Sequence, residues 1–166
     1  GLLKQGRHSV GVQRQYTGSA GKITNCQVAV TLCLFTDHDT IPLDVALYLP
    51  ASWAEDAERR ATARVPEGVA FQTKGELARA MLRAAHAEGV PLGDLLLADG
   101  DYGRDPETRA LAGELGMKYA VGILGTQRVW DVEGVWTEPM SVAELVACMP
   151  RRGFRRLSWR DDTSGK

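Results

Sequence analysis

Apolar residues in this chain come in short dense runs separated by polar breakers. Cys26 to Phe35, CQVAVTLCLF, is apolar and β-branched almost without interruption, which predicts one buried strand. Asp37-His38-Asp39 predicts a turn. Ile41 to Leu49 follows, where Leu43, Val45, Leu47 and Leu49 alternate with Asp44, Ala46 and Tyr48. That period of two predicts a second, antiparallel strand with Asp44 facing solvent, stopped by Pro50. Before both strands, Gly6 to Lys22 is broken by Gly18-Ser19-Ala20-Gly21 and reads as a long loop or an irregular hairpin.

The pattern then becomes helical. Ala51 to Ala63 is polar and predicted to be helical in part, with Trp53 as its anchor. Thr73 to Glu88 is the clearest helix: Thr73 can cap it, Glu76 completes a capping box, and Gly89 supplies the stop. Leu77, Ala80, Met81, Ala84 and Ala85 are its predicted core face. Leu95 to Ala98 predicts a short buried strand ending at Asp99. Asp105-Pro106 opens a helix with apolar face Ala110, Leu111 and Leu115, closed by Gly116. Lys118 to Leu124 predicts a strand, and Ser141 to Met149 a last helix capped by Ser141 with Glu144 three residues on. Helices alternating with strands after an antiparallel pair imply an α/β fold with a sheet of mixed direction.

Composition narrows the class. A hydrophobic share of 44% and a charged share of 25% suit a soluble globular protein, and 166 residues suit one domain. No apolar run approaches the roughly 18 residues that would cross a bilayer. The opening Gly1-Leu2-Leu3-Lys4 has no long apolar core, so no secretion signal is expected. Cys26, Cys33 and Cys148 form no Cys-x-x-Cys pair, which argues against zinc and for reduced thiols in the cytoplasm, with Cys33 in the core. The net charge of −1 hides an uneven distribution: Lys4, Arg7, Arg14 and Lys22 make the first segment basic, and Arg151, Arg152, Arg155, Arg156 and Arg160 crowd the last. Basic ends could touch phosphate, although charge alone also serves solubility.

The best local candidate for chemistry is Leu95-Leu96-Leu97-Ala98-Asp99-Gly100-Asp101-Tyr102-Gly103. A carboxylate at the carboxyl end of a parallel strand points into the crevice where open α/β sheets hold ligands. A hard cation such as Mg²⁺ would suit its oxygens. Asp-x-Asp after a strand also fits a phosphatase or a sugar transferase, or a plain polar turn. His8, His38 and His86 are too dispersed for a metal cluster, and no Gly-x-Ser-x-Gly turn supports a serine hydrolase. Gly18 to Lys22 lacks the spacing of a phosphate-binding P-loop.

An ordered set of short motifs resembles one group of bacterial insertion-sequence transposases of the DDE superfamily. It begins with Lys4-Gln5-Gly6-Arg7-His8-Ser9-Val10-Gly11-Val12-Gln13-Arg14-Gln15-Tyr16, runs through Gly18 to Lys22 and reaches Asn25-Cys26-Gln27. Leu47-Tyr48-Leu49-Pro50 with Ser52-Trp53 comes next, then Phe71, Thr73-Lys74 and Glu76-Leu77-Ala78. Ala98-Asp99 with Tyr102-Gly103, and Leu157-Ser158-Trp159-Arg160, complete it. The set spans nearly the whole chain.

The resemblance implies a partial RNase H-like catalytic domain over residues 1–166, a mixed sheet flanked by helices. It implies DNA strand cleavage and transfer by an Asp, Asp, Glu triad that holds two Mg²⁺ or Mn²⁺ ions about 3.5–4 Å apart. Asp99 matches the second acid, as a catalytic metal ligand. The first acid would lie just before Gly1, on a central strand between the Cys26–Phe35 and Leu95–Ala98 strands, and the third in a helix beyond Lys166. Without those two acids the fragment is expected to hold no metal pair and to be inactive alone. Without the central strand, two apolar strand edges are expected to be left unpaired. The implied partner is DNA, both transposon ends and target, with Lys4, Arg7, Arg14 and Lys22 as its contacts and a homodimer as a candidate assembly. Asp161-Asp162 departs from the Glu-Gly usual in that group. Two other functions fit the bare residues: a metal-dependent phosphatase or sugar transferase using Asp99 and Asp101, and a non-catalytic DNA-binding remnant.

Overall fold

A computed structural model describes residues 1–131, 133–134 and 136–155. The chain divides into two compact units, residues 1–122 and 123–166. The first opens with β1 (Leu2–Leu3), β2 (Gln13–Thr17) and β3 (Lys22–Gln27), an antiparallel sheet ordered β1-β3-β2. Gly18 to Gly21 turn the chain between β2 and β3, so the irregular hairpin was the correct half of the expectation. Gly21 takes the left-handed backbone that such a turn requires, at φ 62°.

The run from Cys26 to Phe35 is two strands rather than one. Pairing breaks at Val28, and β4 (Ala29–Phe35) leaves the first sheet to join β5 (Thr40–Leu47). An unbroken apolar run carries no mark of where a strand changes partners. The turn between β4 and β5 is built by Thr36, whose hydroxyl accepts the Asp39 amide at 2.9 Å, rather than by the aspartates. Asp44 is exposed as expected. Val45 and Leu47 are 65% and 43% exposed, against the inner face predicted for them. Val45 pairs with Thr31, on the side opposite to Val30. The helix Lys74–Ala87 covers the Val30 side, and Val30 alone in β4 is buried. Cys33 is only half-buried; Cys26 is the fully buried thiol.

Two short helices, α1 (Ala51–Ala54) and α2 (Ala57–Thr62), follow Pro50. Trp53 is fully buried with Val12 and Leu49, the centre of a small core that ties residues 10–12 to this helical pair. Its indole N–H donates to the Val12 carbonyl at 2.8 Å, and the Arg59 guanidinium lies 3.8 Å from the ring centroid.

The long helix α3 (Lys74–Ala87) has the predicted capping box: Glu76 N–H donates to Thr73 Oγ1 at 3.2 Å, and Thr73 N–H donates to Glu76 Oε2 at 2.7 Å. These bonds hold the Glu76 carboxyl below its ordinary 4.5, chiefly through the Thr73 amide. A carboxyl whose folded pKa is depressed stabilises above its unfolded value and loses that contribution as pH falls through the folded value. Acid titration followed by circular dichroism should therefore show helix loss below about pH 4.5 that Glu76→Gln flattens. A curve identical for both proteins would count against the box. The buried face of α3 is Arg79, Met81, Leu82 and Ala85, with Ala80 and Ala84 exposed, a rotation from the predicted face. Arg79 sits inward because Asp105 and Glu107 meet it there, Glu107 at 2.6 Å.

Next come β6 (Leu95–Ala98), α4 (Gly100–Gly103), α5 (Pro106–Glu114) and β7 (Lys118–Val121). Asp105 caps α5 as predicted, but the face it buries is Thr108, Leu111 and Ala112 rather than Ala110. Strands β6 and β7 pair in parallel, with Leu95 opposite Lys118 and Ala98 opposite Val121. Among the described residues, β4 pairs only with β5 and β6 only with β7, so the expected mixed sheet exists as two separate pairs. An open cleft lies between them, lined by Val30, Leu32, Leu82, Leu96 and Leu97. This explains why Leu95 and Leu97 are 48% and 59% exposed although the sequence reads as a buried strand.

The second unit holds β8 (Arg128–Val129) antiparallel to β9 (Met140–Ser141), then α6 (Val142–Cys148) and one 3-10 turn at Arg151–Gly153. Ser141 and Glu144 form the predicted capping box. Arg156, Arg160, the Leu157–Arg160 motif and Asp161-Asp162 lie outside the described residues. Among the described residues no helix is long and apolar enough to cross a membrane.

Candidate active site

Asp99 sits immediately past the carboxyl end of β6, where the chain leaves a parallel pair and turns into α4. Its Oδ1 accepts the Asp101 amide at 3.0 Å, which fixes the carboxylate at the head of that turn. The turn is tight because glycines let backbones approach. A Cβ on Gly122 would meet the Gly100 nitrogen at 2.8 Å, and one on Gly103 would overlap the Gly122 carbonyl oxygen. Gly103→Ala should push β7 away from the Asp99 turn, at a cost of about 1–3 kcal/mol. Chemical denaturation checks it, and an unchanged midpoint would show that the contact is easily relieved.

Two clefts meet at Asp99. One is the slot between β4 and β6, where Asp99 and Tyr102 stand at the rim beyond Leu96 and Ala98. The other, of about 270 Å³, is lined by Gly1, Thr17, Ser19, Lys74, Asp101 and Tyr102 beside Asp99. The β2–β3 turn thus reaches the candidate acid. Burial, and then the charges of Asp99 and Asp101, push the Tyr102 phenol above its ordinary 10, so it stays protonated at neutral pH.

The two acids of the Asp-x-Asp motif differ. Asp101 is paired with Lys74 at 3.3 Å and with Arg104 at 3.5 Å. Asp99 makes no ion pair among the described residues. No cluster of three metal-ligating side chains occurs among the described residues. One carboxylate, beside another already matched by two cations, does not fit a two-metal site by itself.

The basic residues predicted to touch DNA are not gathered at Asp99. Arg14 and Lys22 are exposed on the two strands of the β2–β3 hairpin, facing Asn25 and Thr17 across it. Arg7 is exposed and lines a different cleft with His8, Trp53 and Arg59. Lys4 is half-buried, in a loop whose backbone is clamped by Asn25. That clamp accounts for the Asn25-Cys26-Gln27 motif. The Asn25 amide donates to the Lys4 and Gly6 carbonyls at 2.8 Å each, and the Gln27 amide donates to the Val10 carbonyl at 2.6 Å. These residues shape the scaffold. Sequence reasoning missed Lys74, whose only signal was its place in the Thr73-Lys74 motif, and missed Arg79, whose charge sent it to the polar face.

The family model for the DDE superfamily endonuclease matches residues 1–166. The chain belongs to that family. It is similar to a probable transposase for insertion sequence element IS701 from Microchaete diplosiphon, at 31% identity over 96% of this chain. The chain spans 35% of that relative's length. No solved structure matches it. Divalent metals generally serve the endonucleases of that family. Membership also disfavours the phosphatase and sugar-transferase readings.

Proposed function

We propose that this chain is the part of a DNA transposase that presents the second catalytic acid, Asp99, for metal-dependent strand cleavage and transfer. The observation that carries the reading is the contrast between the two aspartates at the end of β6. Asp101 is matched by Lys74 and Arg104, whereas Asp99, where two clefts meet, has no cation paired with it among the described residues. A phosphatase or sugar transferase using both acids would need Asp101 unmatched as well.

The fold proposed with it is RNase H-like. Its support is an antiparallel pair and a parallel pair flanking an apolar slot, with α3 packed on β4. A strand carrying the first acid, supplied by a longer protein, would fill that slot and bring its carboxylate to Asp99. In that complete site Asp99 would hold Mg²⁺ or Mn²⁺ together with the other two acids. The metal supplies charge stabilisation for the displacement at phosphorus. The Asp101 amide holds the Asp99 carboxylate in place, and Lys4, Arg7, Arg14 and Lys22, away from the Asp99 cleft, remain proposed DNA contacts.

The test is an activity assay on a transposase of the relative's full length that contains this chain. Mg²⁺-dependent nicking of DNA carrying the element's ends, without turnover of a small phosphomonoester, is the expected result. Turnover of the phosphomonoester without DNA cleavage would overturn the proposal.

A further inference from the structure

We propose that Lys74 is a phosphate contact for the DNA strand brought to Asp99, and that Asp101 holds its ammonium only until a phosphate displaces it. The inference rests on the DNA-cleaving reading above and adds a residue to it. Lys74 begins α3, and its ammonium lies 3.3 Å from Asp101 Oδ2 and 5.9 Å from the centroid of the Tyr48 ring. Among the described residues lining the cleft of about 270 Å³ at Asp99, it is the one basic side chain. Arg14, Lys22, Arg7 and Lys4 do not line that cleft.

A phosphate entering beside Asp99 meets a carboxylate of like charge, and repulsion at short range in a partly desolvated cleft opposes it. A cation in the same cleft offsets that repulsion. Lysine suits the task as a compact point charge with three donors. Its flexible stem would normally lose much freedom on binding. Here the Tyr48 ring already limits it, so less remains to be lost.

Asp101 can release the ammonium cheaply. The pair is part-exposed, with Lys74 30% and Asp101 53% accessible, and such pairs contribute little. Arg104 approaches the other oxygen of Asp101 at 3.5 Å, so this carboxylate keeps a cation when Lys74 turns to a phosphate.

The experiment measures binding of a short fluorescein-labelled DNA duplex to this chain by anisotropy across a salt series, in EDTA so that no metal bridges Asp99. Four proteins are compared: the unsubstituted chain, Lys74→Gln, Lys74→Arg and Asp101→Asn, each checked for folding by circular dichroism. Lys74→Gln should lower the slope of log K against log salt by about 1. Lys74→Arg should restore it, and Asp101→Asn should tighten binding because the ammonium loses its competitor. A folded Lys74→Gln with an unaltered slope would overturn the proposal and leave the lysine as an anchor for Asp101. So would Asp101→Asn weakening the binding, an arm that decides even where Lys74→Gln does not fold. If the unsubstituted chain shows no salt-dependent DNA binding, the DNA-cleaving reading itself falls, and this inference with it.

Discussion

Asp99→Asn, in a transposase of the relative's full length that contains this chain, is expected from the role proposed for Asp99 to lower metal-dependent DNA cleavage on the order of 10³-fold while DNA binding persists. Replacing a carboxylate oxygen by an amide removes the charge that would hold a divalent cation, and metal stabilisation of such a displacement is worth several kcal/mol. The substitution is nearly isosteric, and the remaining Asn oxygen can still accept the Asp101 amide that caps the turn. Folding should therefore be little disturbed, which separates chemistry from scaffold. Asp101→Asn should cost much less cleavage, because its carboxylate serves Lys74 and Arg104. Equal losses for the two variants would instead indicate a shared acid pair and revive the alternative that uses both.

The largest effect on stability is expected at Trp53. Trp53→Ala should cost about 3–5 kcal/mol, the range for removing a fully buried large aromatic residue. The ring is completely enclosed, with Val12 and Leu49 against it and Val10, Ala54, Ala63 and Val65 around them. The loss is a large part of the roughly 5–15 kcal/mol that holds an ordinary domain together. Trp53→Phe should cost far less than Trp53→Ala. It keeps most of the buried area, and the Val12 carbonyl retains a hydrogen bond from Arg59 at 3.3 Å when the indole N–H is gone. Urea unfolding followed by circular dichroism reads both. A Trp53→Ala midpoint close to the unsubstituted one would show that this small core contributes little.

The seat of the proposed chemistry could be read from residues close in sequence. Asp99 follows four apolar residues, and the glycines around it announce a sharp turn, so a strand ending in a presented carboxylate was legible before any coordinates. The capping boxes at Thr73 and Ser141 and the Pro106 start of α5 were legible for the same reason. Each depends on groups within a few residues of one another, and local chemistry decides it.

What the sequence could not decide was which faces and edges meet. The break at Val28, the exposed Val45 and Leu97, and the inward Arg79 depend on partners tens of residues away. The difference between Asp99 and Asp101 belongs to this second class. In composition and spacing they are two like acids separated by Gly100. Only the packing of α3 beside α4 brings Lys74 to one of them, and the short α4 turn sets Arg104 three residues beyond it. Sequence alone therefore determined the locally capped helices, the family and a candidate acid. Tertiary structure alone decided which carboxylate is matched by cations, because charge pairing across the chain is fixed by where helices pack and not by the order of residues.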